Sequence, residues 1–441
     1  MNISTKKKTV EYLLWIIVAI AAASLYFIPF RSTFSNIPES IAIMMLSMII
    51  PALIYMIFLA ASSLFCQKSY KEENFSGCTV IIPAYNEGIH VAKTIATILQ
   101  SDVPPEHFEL IAVNDGSVDD TLYWMKEIQK ECKGQLKIIN FPQNRGKKHA
   151  LAAGFRASKF DFCVTVDSDT EIYPDTLRKL LAPFADQKIG AVAGNIRAKS
   201  GEYNFFTVMM DVLLVFGCEF LRASQSANKS VFCTPGALSA YRKSVILPLL
   251  DRWLNQTFCG KPANIGEDRA IATMILEQNY HIVHAPEAVA DTFLPKNYSG
   301  VCKMLLRWNR SDFRENLTMA KFIFRQNPLS STRNTVTALH WLMLSFNMFS
   351  SAVSLPLLIF LLIYSPDIIT AITITATGTF FWSAVPAIVY AKTRSFREGI
   401  WGFVFGLFSL AGLSYLMFYA MLTVTDSRWL TREKSVKTKA V

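Results

Sequence analysis

The chain has 441 residues, of which 51% are hydrophobic, and its formal net charge at pH 7 is +10. A mean hydropathy of +0.28 is too high for an ordinary soluble protein and indicates a membrane protein with a soluble part. In such a protein, excess Lys and Arg are typical of cytoplasmic loops rather than of a nucleic-acid-binding surface. We therefore expect a lipid bilayer, and no nucleic acid, among its partners.

Cysteine usage excludes two further classes of protein. Eight cysteines stand at positions 66, 78, 132, 163, 218, 233, 259 and 302, without Cys-x-x-Cys or zinc-ligand spacing. This pattern predicts reduced thiols in a cytosolic domain rather than a disulfide framework. His281 and His284 have no Cys or carboxylate at ligand spacing, so we expect both to be structural.

Residues 1–66 are predicted to contain two transmembrane helices. Lysines at positions 6, 7 and 8 precede an apolar run over residues 10–30, and a second run covers residues 41–65. Both runs are long enough to span a bilayer, and the first lacks a small-residue cleavage site. The preceding lysines place the N-terminus inside, and two spans return the chain to the cytoplasm.

Residues 67–300 are predicted to form a cytosolic α/β domain. Apolar strands at 78–83, 110–113, 136–140 and 162–166 alternate with helical patterns at 89–99, 119–132 and 147–157. Such alternation predicts a parallel, doubly wound sheet whose ligands bind at the carboxyl ends of the strands. Polar clusters follow three of these strands, at 85–87, 114–115 and 167–169.

The segment Val164 to Thr170 carries two carboxylates, Asp167 and Asp169, directly after a buried strand. Alternate residues of an extended chain project to one side, so both carboxylates can face one ligand. Hard oxygen ligands at a strand end suit Mg²⁺ or Mn²⁺ holding a diphosphate. A solvated turn is the common alternative for an isolated Asp-x-Asp.

Two other clusters have the chemistry of a nucleotide site. Asp115 can accept a hydrogen bond from a nucleobase imide or a ribose hydroxyl, although helix capping is the alternative for the residues at 85–87 and 114–115. The segment from Asn144 to Ala150 opens a helix, where Lys147 can meet a nucleotide, and a solvated basic turn is equally compatible.

Later motifs suit the transfer step of a glycosyl reaction. Of Glu267 and Asp268, one can act as the base that deprotonates an acceptor hydroxyl, unless both are first-turn acids of a helix. Arg307 can clamp a diphosphate, and Trp308 offers a face for a sugar ring. A Trp–Arg pair at the membrane interface is the alternative for these two residues.

The C-terminal third is predicted to return to the membrane. Residues 301–335 form basic amphipathic helices that suit the membrane interface or plain domain packing. Apolar stretches at 339–364, 368–391 and 399–424 lie within the last segment, 336–441. Three full spans conflict with the basic loop at 392–397 and the basic tail at 428–439, which both favour the inside. We expect the last stretch to be interfacial or re-entrant, because its glycines allow bends.

The ordered set of motifs resembles the processive, membrane-embedded family 2 glycosyltransferases. It comprises Pro-Ala-Tyr-Asn-Glu, Val-Asn-Asp-Gly-Ser, Asn-x-Gly-Lys-x-x-Ala, Asp-Ser-Asp, Gly-Glu-Asp-Arg and Arg-Trp. The segments at 165–170, 255–258, 266–269 and 307–315 are most similar to bacterial hyaluronan synthases. Rhizobial chitooligosaccharide synthases come next, and poly-N-acetylglucosamine synthases follow.

The resemblance implies a Rossmann-like GT-A domain between transmembrane helices, a UDP-sugar donor and a growing polysaccharide acceptor that is exported. The implied UDP contacts are Tyr85, Glu87, Asp115, Lys147 and Asp167. Asp169, with Asp167, would hold Mg²⁺ or Mn²⁺. The implied transfer residues are Asp268 as base, Glu267 beside it, Arg307 at the diphosphate and Trp308 at the acceptor sugar. The donor would be UDP-GlcNAc, alone or with UDP-GlcA, at the plasma membrane.

Two departures from the family pattern leave the product open. Met304 stands where the family has Gln, and the segment from Cys233 to Ala237 reads Cys-Thr-Pro-Gly-Ala where hyaluronan synthases have Ser-Gly-Pro. Chitooligosaccharide or poly-N-acetylglucosamine synthesis is therefore an alternative, as is a non-processive transferase with a lipid-linked acceptor. A transporter with a nucleotide-sugar-binding domain is disfavoured, because the apolar runs are nearly free of charge.

Overall fold

The computed structural model describes residues 54–63, 65–66, 69–70, 77–132, 134–199, 201, 203–364 and 368–428. The first predicted span, residues 10–30, lies outside this part of the chain. Of the second, the described part contains the apolar helix Ile54–Ser63, which we call α1.

An eight-stranded mixed sheet forms the centre of the domain, in the order β3-β2-β1-β4-β7-β6-β10-β5, with β8 and β9 in a separate hairpin. The strands are β1 (Cys78–Ala84), β2 (Phe108–Asn114), β3 (Leu136–Asn140), β4 (Phe162–Val166), β5 (Thr170–Ile172), β6 (Ile189–Ala198), β7 (Leu238–Arg242), β8 (Thr257–Phe258), β9 (Lys261–Pro262) and β10 (His281–Thr292).

Helices cover both faces of the sheet and continue into the C-terminal region. They are α2 (His90–Leu99), α3 (Thr121–Glu131), α4 (Lys147–Ala157), α5 (Thr176–Leu181), α6 (Phe205–Phe216), α7 (Ala223–Ala227), α8 (Lys243–Ile246), α9 (Leu250–Leu254), α10 (Glu267–Glu277), α11 (Tyr298–Arg325), α12 (Thr332–Tyr364), α13 (Ile368–Thr393), α14 (Ile400–Phe408) and α15 (Ser414–Leu422). A π-helical segment, Gly217–Arg222, joins α6 to α7.

The predicted parallel arrangement is correct for β3-β2-β1-β4 and wrong for the rest of the sheet. β7 runs antiparallel to both β4 and β6, β5 runs antiparallel to β10, and β6 pairs with β10 in parallel. Apolar runs of this length do not encode strand direction. Because β6 ends and β7 begins at the same edge as the end of β4, the residues just before β7 lie beside the end of β4.

Two apolar cores lie on opposite faces of the sheet. Alternate residues of β1 point to different faces, so that Val80 and Ile82 join one core and Ile81 joins the other. The second core also contains Phe155 of α4 and Trp253 of α9. This packing fixes α4, whose first residue is Lys147, against β1.

The C-terminal helices support part of the prediction that this region returns to the membrane. Among the described residues, Thr332–Val353 and Arg397–Leu422 are long and apolar enough to cross a membrane. Gly402 and Gly406 serve close helix packing, since an added Cβ would lie 2.2 Å from the Cα of Ala387 and 1.6 Å from the Oγ of Ser383, respectively. A re-entrant course for the last stretch stays a prediction, as does the side of the tail, which lies beyond residue 428.

The basic helix predicted near the interface is α11, and two of its arginines do not face the outside. Arg310 and Arg314 are 2% and 1% exposed. Arg310 pairs with Asp426 at 3.1 Å and donates to the Thr423 hydroxyl at 3.0 Å. Contacts within the protein, including those with residues after α15, therefore account for this face of α11, and interfacial placement of the other face stays a prediction.

Substitution of Gly154 in α4 tests how tightly this helix packs against β1. A Cβ there would lie 2.3 Å from Cγ2 of Ile81, so Gly154→Ala should lower stability by about 1–3 kcal/mol through overpacking. Ile81→Ala removes the obstructing atom, so the double variant should lose less than the sum of the two single losses. Thermal unfolding of the purified full-length variants measures this coupling, and strictly additive losses would contradict it.

Candidate active site

The ends of β1, β2 and β4 form one edge of the sheet. Ala84 and Asn114 are in register, and the amide of Asp115 donates to the carbonyl of Ala84 at 2.9 Å. The loop after β1 is tied to the next loop, because the amide of Glu87 donates to the Thr121 hydroxyl at 2.8 Å. Tyr85, Glu87 and Asp115 therefore lie at neighbouring strand ends, as predicted.

Asp115 organises the start of α4. Its two carboxylate oxygens accept hydrogen bonds from the amides of Arg145 at 2.7 Å and Gly146 at 2.9 Å. Burial raises the pKa of this carboxyl, and the two amide bonds partly oppose the shift. Gly146 adopts a φ of 91°, which favours glycine, and so allows the helix to begin with Lys147 pointing into the site.

Lys147 joins the Asp-x-Asp segment to the later acidic pair. Its ammonium lies 2.5 Å from Asp167 and 3.1 Å from Glu267, and its side chain is 11% exposed. Burial lowers the pKa of Lys147, but the charges of Asp167 and Glu267 outweigh that effect and raise it overall. The ammonium thus neutralises two carboxylates that come from distant parts of the chain.

Gly236 makes this approach possible. A Cβ at this position would lie 2.6 Å from the Lys147 ammonium and 3.7 Å from a Glu267 oxygen. Gly236 lies just before β7, and the following carbonyl, that of Ala237, accepts from the amide of Asp167 at 3.4 Å. The departure from the family pattern at 233–237 therefore lies at the ion pairs as well as near the acidic pair.

The pKa values of the two acidic residues, Glu267 and Asp268, are shifted in opposite directions. Burial raises the pKa of Glu267, but Lys147 and Arg307 outweigh it, and the pKa is lowered overall. The pKa of Asp268 is raised by burial and by the charge of Glu267. Environments that separate two carboxyl groups in this way are typical of acid–base sites. Asp268 is the stronger base of the two.

A left-handed glycine presents this pair from the start of α10. Gly266 has a φ of 72°, and an added Cβ would lie 1.6 Å from the Ser311 hydroxyl of α11. The Arg314 guanidinium donates to the carbonyl of Ile265, one residue earlier. The turn is therefore fixed against α11, which also carries Arg307.

Lys148 supports the site from behind, and sequence reasoning missed it. It is 5% exposed, and its ammonium donates to the carbonyls of Ala263 at 2.6 Å and Trp253 at 3.3 Å. A third bond, of 3.2 Å, goes to the Gln256 side chain, which in turn donates to Glu315 at 2.8 Å. Burial lowers the pKa of Lys148 to about 8. A second lysine after Lys147 at the start of an amphipathic helix was the available signal.

Met304 and Trp308 precede Ser311 and Arg314 along α11. Met304 is buried in an apolar cluster with Met210 and Leu416, and Trp308 packs against the same cluster. At position 304 the thioether therefore serves packing, and the structure places no phosphate-directed donor there. Trp308 remains partly exposed beside the site.

The Asp-x-Asp turn has the donor atoms that a hard divalent cation requires. Asp167 accepts at its carbonyl from the amide of Thr170 at 3.1 Å, and the Thr94 hydroxyl donates to the carbonyl of Ser168 at 2.9 Å. These bonds fix the turn that carries Asp167 and Asp169. No group of three or more His, Cys, Asp or Glu is arranged to hold a metal within the described ranges.

Known proteins resemble this chain over most of its length. Residues 79–249 match the family model "Glycosyl transferase family 2". A hyaluronan synthase of Streptococcus pyogenes is 31% identical over 80% of this chain and 83% of its own. An N-acetylglucosaminyltransferase of Azorhizobium caulinodans is 29% identical over 81% of this chain and 87% of its own.

The fold is shared with a solved structure. The mannosyltransferase PcManGT from Pyrobaculum calidifontis, in complex with GDP-Man and Mn²⁺, superposes with a TM-score of 0.60 at 19% identity. The likeness covers 85% of this chain and 99% of that one. The α/β architecture predicted from the sequence is therefore confirmed in its coarse form, with a mixed sheet.

Lys148→Met should loosen the turn before Glu267. The substitution removes an ammonium with three acceptors, and bonds of this charged kind contribute about 1.5–3 kcal/mol each. We expect a clear fall in the unfolding temperature. Lys243→Met is the matched control, because Lys243 donates to the Ser158 carbonyl at 2.6 Å and lies at the opposite edge of the sheet. A smaller loss for Lys148→Met than for the control would contradict the assignment.

Proposed function

The chain belongs to glycosyltransferase family 2, and from this premise we propose that it is an inverting, membrane-bound polysaccharide synthase. It transfers sugar from a UDP-sugar to the end of a growing chain and exports the product. The observation that carries the proposal is the continuous row Asp167–Lys147–Glu267, with Asp268 next to its end. This row brings the Asp-x-Asp segment and the proposed base together at one edge of the sheet.

Asp268 is the proposed general base. An inverting transfer requires a carboxylate that removes the proton of the acceptor hydroxyl as its oxygen attacks the anomeric carbon. A raised pKa makes the ionised Asp268 a better proton acceptor than an ordinary aspartate. Glu267, which stays ionised beside Lys147, holds that ammonium in place and does not take the proton.

The donor side is proposed to extend from Asp167 towards the ends of β1 and β2. Tyr85, Glu87 and Asp115 would contact the nucleoside, and Lys147 would contact its phosphates. Arg307, whose charge acts on both Glu267 and Asp268, would stabilise the departing diphosphate. Trp308 would stack on the acceptor sugar.

Asp169, together with Asp167, would hold a divalent cation. Two carboxylates on a fixed turn leave room for phosphate oxygens and waters, the mixed ligand set that Mg²⁺ and Mn²⁺ accept. When bound, the cation neutralises the diphosphate leaving group. The Mn²⁺ of the mannosyltransferase with the same fold supports this assignment.

The membrane assignment rests on the long apolar helices and on the cytosolic chemistry. A UDP-sugar is made in the cytoplasm, so the α/β domain would face it, with the helices in the plasma membrane. The named relatives support UDP-GlcNAc as a donor, alone or with UDP-GlcA. A chitooligosaccharide-type product is the second candidate, supported by the N-acetylglucosaminyltransferase relative.

Asp268→Asn should abolish transfer while leaving UDP binding nearly intact. Loss of a general base costs about 10²–10⁴-fold in turnover. UDP release by the purified, detergent-solubilised variant measures the first effect, and calorimetric titration with UDP measures the second. Asp161→Asn, an exposed aspartate at the opposite edge of the sheet, is the control. Normal turnover by Asp268→Asn would reject the base assignment.

The donor is tested by UDP release with Mn²⁺ and UDP-GlcNAc alone, UDP-GlcA alone, and both. We expect release with UDP-GlcNAc, falling to background when EDTA removes the cation, because Asp167 and Asp169 require a metal between them and the diphosphate. Release that requires both donors would indicate a hyaluronan-type heteropolymer. Absence of release under all three conditions would reject the proposed activity.

A further inference from the structure

Charged side chains continue beyond the proposed base, from the start of α10 towards α11. The charged row runs from Asp167 through Lys147 and Glu267 to Asp268, and the next residue, Arg269, continues it. Arg269 points towards Asp312 of α11, with 3.7 Å between its Nε and a carboxylate oxygen. The acceptor must reach Asp268, and the proposed donor site extends the other way, towards the ends of β1 and β2, so Arg269 and Asp312 would lie on the acceptor side.

Asp312 lies close to buried charged groups, but its own side chain is half-exposed. Its side chain is 49% exposed. Burial nevertheless raises its pKa to about 6, with Arg269 opposing and Asp268 reinforcing the shift. The exposed half of the side chain is the part that a ligand can reach. Asp312 also follows Trp308 by four residues, so both lie on one face of α11.

The Arg269 guanidinium lies beside Asp312. It is 3% exposed, and its two terminal nitrogens donate to the carbonyl of Phe232 at 2.6 Å and to the Asn316 side chain at 3.2 Å. Its Nε is buried and has no hydrogen-bond partner among the residues that the structure describes. The gap of 3.7 Å to Asp312 is too long for a direct hydrogen bond, so Arg269 acts on Asp312 through its charge and leaves the exposed carboxylate oxygen able to accept from a ligand.

We propose that Asp312 is a specificity-determining residue of the acceptor site: its carboxylate accepts hydrogen bonds from hydroxyls of an uncharged N-acetylhexosamine unit and disfavours a uronate there. The inference rests on the proposed transferase function and deepens it. Sugar hydroxyls donate to carboxylates, and the half-exposed side chain of Asp312 can receive such a bond.

The charges around Asp312 explain why a neutral sugar would be preferred over a uronate. The carboxylates of Asp268 and Asp312 face the guanidinium groups of Arg269 and Arg222, whose charges also act on Asp312. Arg222 donates to the Cys218 sulfur at 2.8 Å. Glu315 also acts on Asp312, so three carboxylates stand against two guanidinium groups, and a uronate carboxylate would be repelled.

The test compares two acceptors on the full-length enzyme in detergent. The probes are an N-acetylglucosamine tetramer and a tetrasaccharide with glucuronate at its non-reducing end, each titrated in the presence of UDP and followed by tryptophan fluorescence. UDP release from UDP-GlcNAc gives kcat and KM for the same acceptors. The variants are Asp312→Asn, which keeps the shape of the side chain, and Asp161→Asn as the control at the opposite edge of the sheet.

We expect the wild-type protein to bind the neutral tetramer at least about tenfold more tightly, the scale of one hydrogen bond to a charged group. Asp312→Asn should reduce this ratio about tenfold and raise KM for the neutral acceptor, while KM for UDP-GlcNAc stays within about twofold. An unchanged ratio in Asp312→Asn, or a wild-type preference for the uronate, would overturn the inference. An active wild type with either result would leave the transferase function standing, whereas a wild type without UDP release would reject that function itself.

Acidification provides a second readout. Arg269 and Asp268 of α10, Arg222 of the π-helical segment and Glu315 of α11 set the field at Asp312. Because its pKa is raised to about 6, lowering the pH through 6 protonates the carboxylate and removes its charge. The wild-type ratio should then approach that of Asp312→Asn, whose ratio should stay constant. Parallel curves for the two proteins would contradict the assignment.

Discussion

The ion pairs of Lys147 are the constraint on which the active site depends. One ammonium holds Asp167, at the end of β4, and Glu267, at the start of α10, although 100 residues separate the two acids. Two carboxylates that contact the same ammonium would repel each other if this cation were removed. Lys147 therefore brings the donor-binding edge and the base turn together. Gly236 and Gly146 are required because a side chain at 236, or a right-handed backbone at 146, would displace the ammonium.

A second layer of buried polar groups holds the base turn from behind. Lys148 fixes the segment before Gly266 from the side of α4, and Arg314 and Glu315 fix it from α11. Buried charges of this kind are costly to remove singly, because each leaves its partner unpaired. The network thus favours one geometry of the turn. Adjacent lysines of α4 consequently have different roles, one in the site and one behind it.

Much of the site could be predicted from the sequence because it follows strand ends. The motifs after β1, β2 and β4 come together since these strands are parallel and in register. The family predicted from the order of the motifs is confirmed. The direction of β7 could not be predicted, because an apolar strand of five residues reads alike in both directions. Lys148 and Gly236 were missed because their roles depend on contacts with residues far away in the chain.

The same polar network continues into the C-terminal helices. Arg269, next to the proposed base, donates to Asn316, whose side chain donates to Ser345 of α12 at 2.6 Å. The indole of Trp341 donates to the Asn316 carbonyl at 2.8 Å. A separate contact joins Asp211 of α6 to Arg394, which follows α13, at 2.9 Å. The base turn is therefore linked, through Asn316 of α11, to a helix long enough to cross a membrane. An acceptor that leaves Asp268 along Asp312 would enter the region between the domain and these helices, so that the step that selects the sugar and the path of the product share the same side chains.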